Sequence, residues 1–508
     1  MQHHGNDPGR VYLVGAGPGD PGLISLRGAE CLRHADLVLY DCTVNPDILE
    51  HAPPLVEFVC LGRRPNQRTM PQEEVIARMI EAACQGRIVV RLKAGDPMVF
   101  SRTAPETDAL RAAGVPLEIV PGITAAGAVA ACAEIPITHV DHASAVALVS
   151  AYEREGGGPP LDFGLLADFP GTLVVYMGES SADDWSEALT RGGKSPDTPV
   201  AVVRRCSFSD QETVRCTLGT VARVIAERKL GAPAVAVVGE VVSRAPEASW
   251  FAARPLFGAR VLITRPRDQA GALRDRLAEL GAQVLVQPMI RISDPADWKP
   301  VDAALAEVDR YDWLVFSSAN GVRYLLDRLL ATEGDVRKLG SIRLAAIGPA
   351  TAEEIVRYRL RADLVPAEYR AEALAATLVH EAAGRAFLLA RASRGREVLA
   401  EELRDAGGTV EQIVVYSSTD VEDPDPDVAA ALAAGRIDWI TVTSSAIARS
   451  LVRLFGDDLR QARLASISPI TSDVLRELGH EPAVEAARYT MEGLVEALAG
   501  SAQKWTRE

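Results

Sequence analysis

The sequence predicts an α/β protein, and three observations carry that expectation. Short Val/Leu/Ile strands alternate with amphipathic helical stretches almost throughout, two Gly/Pro-rich breaks interrupt the rhythm, and the later half contains an internal repeat. The strand candidates include VYLVGAG, ADLVLYD, RIVVRLKAGDP, GTLVVYMG, AVAVVGEVV, RVLITRP, DWLVFSSAN and DWITVTSSA. Short apolar runs of this kind, separated by helical patterns, are the mark of parallel sheets covered on both faces. The breaks are SAYEREGGGPPLD (Ser150–Asp162) and SRAPEASWFAARPLFGAR (Ser243–Arg260). Beyond the second, the strand RVLITRP starts afresh, which predicts a junction between two separate modules.

Composition limits the functional classes. The chain has 508 residues, 48% apolar and 24% charged, enough for several cores, with a net charge of -15. That charge, without any Lys/Arg run, argues against a nucleic-acid partner; an acidic substrate would need a local cluster of arginines. No apolar run approaches a membrane span and no signal core is visible, so a cytoplasmic protein without a membrane partner is expected. The seven cysteines contain no CxxC pair and none follows Cys216. This predicts reduced thiols and no zinc or iron–sulfur metal site.

The repeat lies in the second module. DWLVFSSA from Asp312 matches DWITVTSS from Asp438, LAAIGPAT (Leu344–Thr351) matches LASISPIT (Leu464–Thr471), and YRAEAL (Tyr369–Leu374) matches YTMEGL (Tyr489–Leu494). Ordered matches at similar offsets predict two similar α/β lobes, with a ligand in the cleft between them. Each repeat ends a strand in small hydroxyl residues, Ser317–Ser318 and Thr443–Ser444–Ser445. Exposed N–H groups at the following helix starts suit carboxylates, although helix capping alone explains each such residue singly.

In the first module VYLVGAGPGDPG looks like a dinucleotide loop but is poorly built to cradle phosphate. Pro18 and Pro21 remove N–H groups, and Asp20 stands where the last glycine of GxGxxG belongs. GGKS (Gly192–Ser195) lacks the first glycine of a P-loop, because Ala188 occupies that position. VVRLKAGDPMVF (Val89–Phe100) and PGITAA (Pro121–Ala126) are tight turns with small residues, against which a flat ligand can lie close to backbone.

Taken in order, VYLVGAGPGDPG, LVLYD, RLKAGDP, EIVPGITAA, IPITH, VVYMG and PAVAVVGEVV resemble the uroporphyrinogen-III C-methyltransferases of the tetrapyrrole methylase family, over about residues 10–252. The resemblance implies two lobes, 10–122 and 123–252, with S-adenosylmethionine between them. It places Pro18, Ala94, Gly95, Asp96, Val99, Thr124, Ala125, Met177 and Cys206 at the cofactor. Asp41 matches the family's proposed proton acceptor, which suits a methylated pyrrole that must lose a proton. The proposed proton donor, a lysine, is here Arg63; an arginine stays charged, so Arg63 is expected to bind substrate carboxylates. Ala94 stands for a glycine, Phe100–Glu106 reads FSRTAPE where the family has Phe-Gly-Arg-Gly-Gly-Glu-Glu, and Ser150–Ala151–Tyr152 replaces Thr-Gly-His. These departures open a second reading, in which this half only binds tetrapyrrole or holds a dimer. Family members are often homodimers through this module.

From about Leu256 to Ala499 the chain resembles uroporphyrinogen-III synthase, through FSSANGV, AAIGPAT, RASRGREVLAEELRDAGGTVEQIVVYSST, VTSSA, ASISPIT and YTMEGL. The resemblance implies lobe 1 over 256–292 and 418–505, and lobe 2 over 293–417. It implies cyclisation of hydroxymethylbilane with inversion of the last ring, which requires folding the chain and helping a hydroxyl to leave. Tyr416 matches the tyrosine proposed to assist that departure. Ser318, Ser444 and Thr471 match residues near substrate, and Arg391, Arg394, Arg396 and Arg265 are candidates for its carboxylates. A synthase followed in action by a methylase implies small-molecule tetrapyrroles as partners and precorrin-2 as the product, bound for sirohaem or cobalamin.

Overall fold

In a computed structural model that describes residues 9–53, 55–62, 70–152, 161–395 and 397–502, the strands form four five-stranded sheets, two in each half of the chain. Two compact units divide near Arg260: Met1–Ala259 with Arg276–Gln283 and Ala499–Glu508, and Arg260–Asp275 with Val284–Leu498.

The first sheet contains β1 (Arg10–Gly15), β2 (Leu37–Tyr40), β3 (Glu57–Cys60), β4 (Ile88–Lys93) and β5 (Leu117–Val120) in the order β3-β2-β4-β1-β5, all parallel. Alternate residues serve opposite faces. Tyr12, Val14, Val38, Tyr40, Val90 and Leu92 pack on Cys31 and Leu32 of helix Leu26–Arg33. Val11, Leu13, Leu37, Leu39 and Val89 pack on Val75 and Met79 of helix Gln72–Cys84 and on Leu110 of helix Thr103–Ala112. Each such aliphatic side chain contributes about 1.5–3 kcal/mol by leaving water, and double coverage accounts for the unbroken apolar runs.

The chain leaves β1 towards β2 and leaves β4 towards β5, in opposite directions across the sheet. The carboxyl ends of β1 and β4 therefore flank a point where the strand order reverses, the place at which open α/β sheets bind ligands. Backbone packing there is close: a Cβ on Gly122 would overlap the carbonyl oxygen of Gly95. Gly122→Ala is expected to destabilise the first unit by about 1–3 kcal/mol through overpacking. Amide exchange of β4 checks this, and unchanged protection would refute it.

The second sheet contains β6 (Val146–Ser150), β7 (Thr172–Tyr176), β8 (Pro199–Arg204), β9 (Glu212–Thr217) and β10 (Ala234–Val238) in the order β6-β7-β10-β8-β9. Here the parallel expectation fails. Only β6 and β7 run parallel; β7-β10, β10-β8 and β8-β9 are antiparallel. Val174 and Val237 face one core while Leu173 and Val238 face another. Burial on both faces makes strands apolar whichever way their neighbours run.

In the second unit the strands are β11 (Arg260–Ile263), β12 (Gln283–Val286), β13 (Ile290–Ser293), β14 (Trp313–Phe316), β15 (Arg343–Ala346), β16 (Ala386–Ala392), β17 (Thr409–Asp420), β18 (Trp439–Val442), β19 (Arg463–Ser466) and β20 (Val484–Glu485). They form sheets ordered β12-β11-β18-β19-β20 and β13-β17-β16-β14-β15. The sequence repeat is a structural one. Trp313 and Trp439 are both buried, with Arg343 over the first ring at 4.0 Å and Arg463 over the second at 5.4 Å. The preceding aspartates clamp the neighbouring strand: Asp312 accepts from the Ala386 N–H at 2.8 Å and Asp438 from the Arg260 N–H at 2.7 Å. β17 serves two partners, pairing parallel with β16 and, through its last residues, antiparallel with β13.

Candidate active sites

At the reversal point of the first sheet lies a cavity of about 730 Å³. Its floor begins with two basic residues at alternate positions of β4. Val89, Arg91 and Lys93 share the face that helix Thr103–Ala112 covers, and Glu106 in the first turn of that helix reaches both cations. The Lys93 Nζ to Glu106 Oε2 distance is 2.8 Å and the Arg91 Nε to Glu106 Oε1 distance is 3.4 Å. Asp41 follows β2, next to β4, and its Oδ1 accepts from Arg91 at 2.6 Å. Arg91, Lys93 and Glu106 are 6%, 2% and 2% exposed. Such charges persist in a core only because the row alternates in sign. Burial, with Arg91 alongside, pulls the Lys93 ammonium below its ordinary pKa; Glu106 and Asp41 oppose this.

The AGD turn continues from β4. Asp96 accepts from the Met98 N–H at 2.7 Å and from the Gly122 N–H at 3.0 Å, which ties this turn to PGITAA. Thr124 precedes helix Ala125–Cys132 without capping it. Instead the Tyr176 hydroxyl lies 2.7 Å from Thr124 Oγ1 and accepts from the Ala126 N–H at 2.8 Å, and the Phe100 ring packs against Tyr176 with centroids 5.0 Å apart. Phe100, Arg102, Met177, Arg205 and Ser207 all adopt left-handed backbone, with φ between 48 and 65°. For non-glycine residues such backbone is costly and gathers at functional sites. The Cys206 thiol is pushed up by the Cys132 sulfur beside it and by burial.

The VGAGPGDPG loop closes one side. Several of its N–H groups are already used: Ala16 donates to Lys93 O at 2.8 Å and Gly17 to Gly95 O at 3.1 Å, while Gly95 returns a bond to Gly17 O at 2.8 Å. The Asp20 side chain accepts from the Gly22 N–H at 2.8 Å, and its own N–H donates to Ser207 Oγ at 3.0 Å. With Pro18 and Pro21 lacking an N–H and those of Ala16, Gly17, Asp20 and Gly22 taken among the described residues, the loop offers no run of successive donors to a phosphate. A ligand with no phosphate fits a wall made of Ala94, Gly95, Thr124 and Ala125.

The structure brings Pro18, Asp41, Ala94, Gly95, Asp96, Val99, Thr124, Ala125, Met177 and Cys206 together around this one cavity. Arg63 lies outside the described residues, as does Arg396 in the second unit. Sequence reasoning passed over Arg91, Lys93, Glu106 and Tyr176. A signal for the first two existed, because charges at alternate positions of an otherwise apolar strand point to a buried ionic pair.

In the second unit a cavity of about 260 Å³ is lined by Ser317, Ser318, Arg391, Arg394, Gln412 and Tyr416 among others. The pairing of β16 with β17 shifts register between Arg391 and Ala392, so that Ala392 stands opposite Tyr416. Bulges of this kind re-aim side chains beside active sites. Here Tyr416, 7% exposed, meets Ser318 with its hydroxyl 3.1 Å from Oγ, and its ring stacks on Tyr324 at 5.6 Å. Ser318 also caps helix Ala319–Glu333, accepting from the Gly321 N–H at 3.0 Å.

The arginines of this cavity already hold carboxylates. Arg391 pairs with Glu397 and donates to Gln412 at 2.8 Å. Arg394 pairs with Asp420 at 2.8 Å, where Arg453 also arrives at 2.7 Å. Burial alone would raise the Asp420 carboxyl, but bonds from Arg453, Ser450 and Arg394 outweigh it and hold it well below the usual carboxylate range. Ser444 and Thr471 belong to the other sheet of this unit. Ser444 caps helix Ser445–Phe455, accepting from the Ile447 N–H at 3.2 Å, and Thr471 is buried with its hydroxyl 3.2 Å from Ser468 Oγ. Among the described residues Arg265 pairs with no carboxylate; it donates to Gln269 at 3.1 Å and to the Met491 sulfur at 3.0 Å.

Fold and sites define a two-module α/β enzyme, with one cavity at a strand-order reversal and another beside a bulged strand. Residues 10–222 match the family of tetrapyrrole (corrin/porphyrin) methylases and residues 271–496 match uroporphyrinogen-III synthase HemD. Over 488 residues the chain is 30% identical to the porphyrin biosynthesis protein HemD of Ruminiclostridium josui, covering 96% of this chain and 95% of that protein. The chain belongs to the family in which a tetrapyrrole methylase is fused to a uroporphyrinogen-III synthase, which bears out both resemblances. It is also 37% identical over 347 residues to the uroporphyrinogen-III C-methyltransferase of Bacillus subtilis (strain 168), covering 68% of this chain and 71% of that one. Among solved structures, a uroporphyrin-III C-methyl transferase from Thermus thermophilus complexed with S-adenyl homocysteine is 38% identical, covers 46% of this chain and 93% of its own, and superposes with a TM-score of 0.40. Among the described residues no helix is long and apolar enough to cross a membrane.

Proposed function

We propose that the second unit cyclises hydroxymethylbilane to uroporphyrinogen III and that the first methylates this product twice, giving precorrin-2. The observation that carries the methylase half is Asp41. Arg91 holds one of its oxygens at 2.6 Å, while the other makes no hydrogen bond among the described residues and belongs to a side chain that lines the cavity. S-adenosylmethionine, when bound, supplies an electrophilic methyl group. Pro18, Ala94, Gly95, Asp96, Val99, Thr124, Ala125, Met177 and Cys206 would hold it. The methylated pyrrole is cationic and must lose a proton, which the free Asp41 oxygen accepts. Arg63 and Arg102 take substrate carboxylates.

In the synthase half the Tyr416 hydroxyl, oriented by Ser318, donates to the bilane hydroxyl as it leaves. Arg391 and Arg394 exchange Glu397 and Asp420 for substrate carboxylates, and Ser444 and Thr471 offer their strand ends to the rest of the bilane. The division into methylase lobes 10–122 and 123–252 and synthase lobes 256–292 with 418–505 and 293–417 follows the four sheets except at the synthase bounds, where β13 and the end of β17 join the sheet of the second synthase lobe.

Purified protein incubated with hydroxymethylbilane and S-adenosylmethionine is expected to yield precorrin-2 with transient uroporphyrinogen III. Formation of only the spontaneously closed uroporphyrinogen I isomer would overturn the synthase assignment. Accumulation of unmethylated uroporphyrinogen III would overturn the methylase assignment.

A further inference from the structure

The charged side chains around the 730 Å³ cavity are almost all accounted for. Arg91 pairs with Asp41 and Glu106, and Lys93 with Glu106. Asp96 takes two backbone N–H groups, and Arg205 is held 2.8 Å from Asp210. The Arg102 guanidinium lies over the Tyr152 ring at 5.4 Å. Glu179 differs from all of these. Its Oε2 is enclosed and makes no hydrogen bond, and among the described residues no cation pairs with the carboxylate.

Its position is firmly set. Met177 turns the chain with φ 53°. The Gly178 carbonyl then accepts from Trp185 Nε1 at 2.9 Å, and a Cβ on Gly178 would lie 2.8 Å from Val175 Cγ1. With Gly178 pinned, Met177 and Glu179 both line the cavity.

A carboxylate oxygen shut away from water without a hydrogen-bond donor is unfavourable, and a ligand that supplies both a donor and positive charge relieves it. The polycarboxylate tetrapyrrole would be repelled by it. The methyl donor carries two cationic groups, a sulfonium without any N–H or O–H and an α-ammonium with three N–H donors. Only the ammonium meets both needs. Ribose hydroxyls can donate but leave the charge uncompensated.

We propose that Glu179 binds the α-ammonium group at the amino-acid end of the methyl donor. This rests on the reading of the first unit as an S-adenosylmethionine site. Calorimetry of the full-length protein and its Glu179→Gln variant tests it with two ligands. S-adenosylhomocysteine carries the ammonium; 5′-methylthioadenosine keeps the adenine, ribose and thioether but lacks the amino-acid end. Glu179→Gln is expected to weaken S-adenosylhomocysteine by about tenfold or more, with methylthioadenosine affinity unchanged and the ligand-free melting temperature no lower than the parent's. Equal S-adenosylhomocysteine affinity in both proteins would overturn the proposal, and a proportional loss of methylthioadenosine would assign the carboxylate to the ribose instead. Failure of the unsubstituted protein to bind either ligand would overturn the underlying cofactor reading as well.

Discussion

Replacing Glu106 by glutamine is expected to destabilise the first unit by about 3–5 kcal/mol, the cost of leaving a buried charge without its partner. Glu106 is the only carboxylate within ion-pair distance of Lys93 and the second of two at Arg91, among the described residues. All three side chains are nearly free of solvent, so screening offers little relief. The loss should depend on pH. Burial, with Arg91 alongside, already depresses the Lys93 pKa, and Glu106 is a main opposing influence. A lysine with a depressed folded pKa carries an energetic penalty that is fully present below that pKa and is relieved as pH rises towards its unfolded value of about 10.4. The Glu106→Gln penalty should therefore shrink between neutral pH and about pH 10. Adding Lys93→Met should recover most of it, because a vacated pair costs less than a half-broken one. Amide exchange of β4 reports on this unit separately from the other. A Glu106→Gln protein as well protected as its parent at neutral pH would sink the argument.

Asp41→Asn is expected to slow methyl transfer to uroporphyrinogen III by about 10²–10⁴-fold, the usual contribution of a positioned proton acceptor. Asparagine preserves the shape beside Arg91 and can still accept its hydrogen bond, but it cannot take up a proton at neutral pH. S-adenosylhomocysteine affinity should stay within about twofold, since the loss falls on the reaction and not on ground-state binding. Rates of precorrin-2 formation and calorimetry on the same preparation measure the two quantities. A methylation rate within tenfold of the parent's would remove Asp41 from the chemistry.

Much of the methylase cavity was legible because its residues sit in turns. Ala94 to Asp96, Thr124 with Ala125, and Met177 follow strands at points where small residues or reversals mark a change of direction. The carboxyl ends of β4 and β5 lie along one edge of the first sheet, so the residues predicted singly after them meet in space, and Met177 reaches them from the second sheet. Arg91, Lys93 and Glu106 were harder to read. Lys93 and Glu106 are 13 positions apart and on different elements, and only the packing of helix Thr103–Ala112 over β4 joins them. The same holds for Thr124 and Tyr176, 52 positions apart and on different elements. In the synthase half the Asp-Trp repeat was visible, but its clamp role depends on which strand lies alongside.

The sequence by itself determined the α/β class, the junction near Arg260, the duplicated lobes and the failure of VGAGPGDPG as a phosphate loop. Each follows from local properties: apolar periodicity, Gly/Pro breaks, repeated residues and the missing N–H of proline. Only the tertiary structure decided that β7, β8, β9 and β10 run antiparallel, that the basic pair of β4 is neutralised by Glu106 and Asp41, and that a bulge turns Tyr416 onto Ser318. It alone left the Glu179 Oε2 without a hydrogen bond among the described residues. A sequence pattern records how deeply a residue is buried, whereas strand direction, ion pairing and an unpaired carboxylate depend on neighbours that only the folded chain brings near.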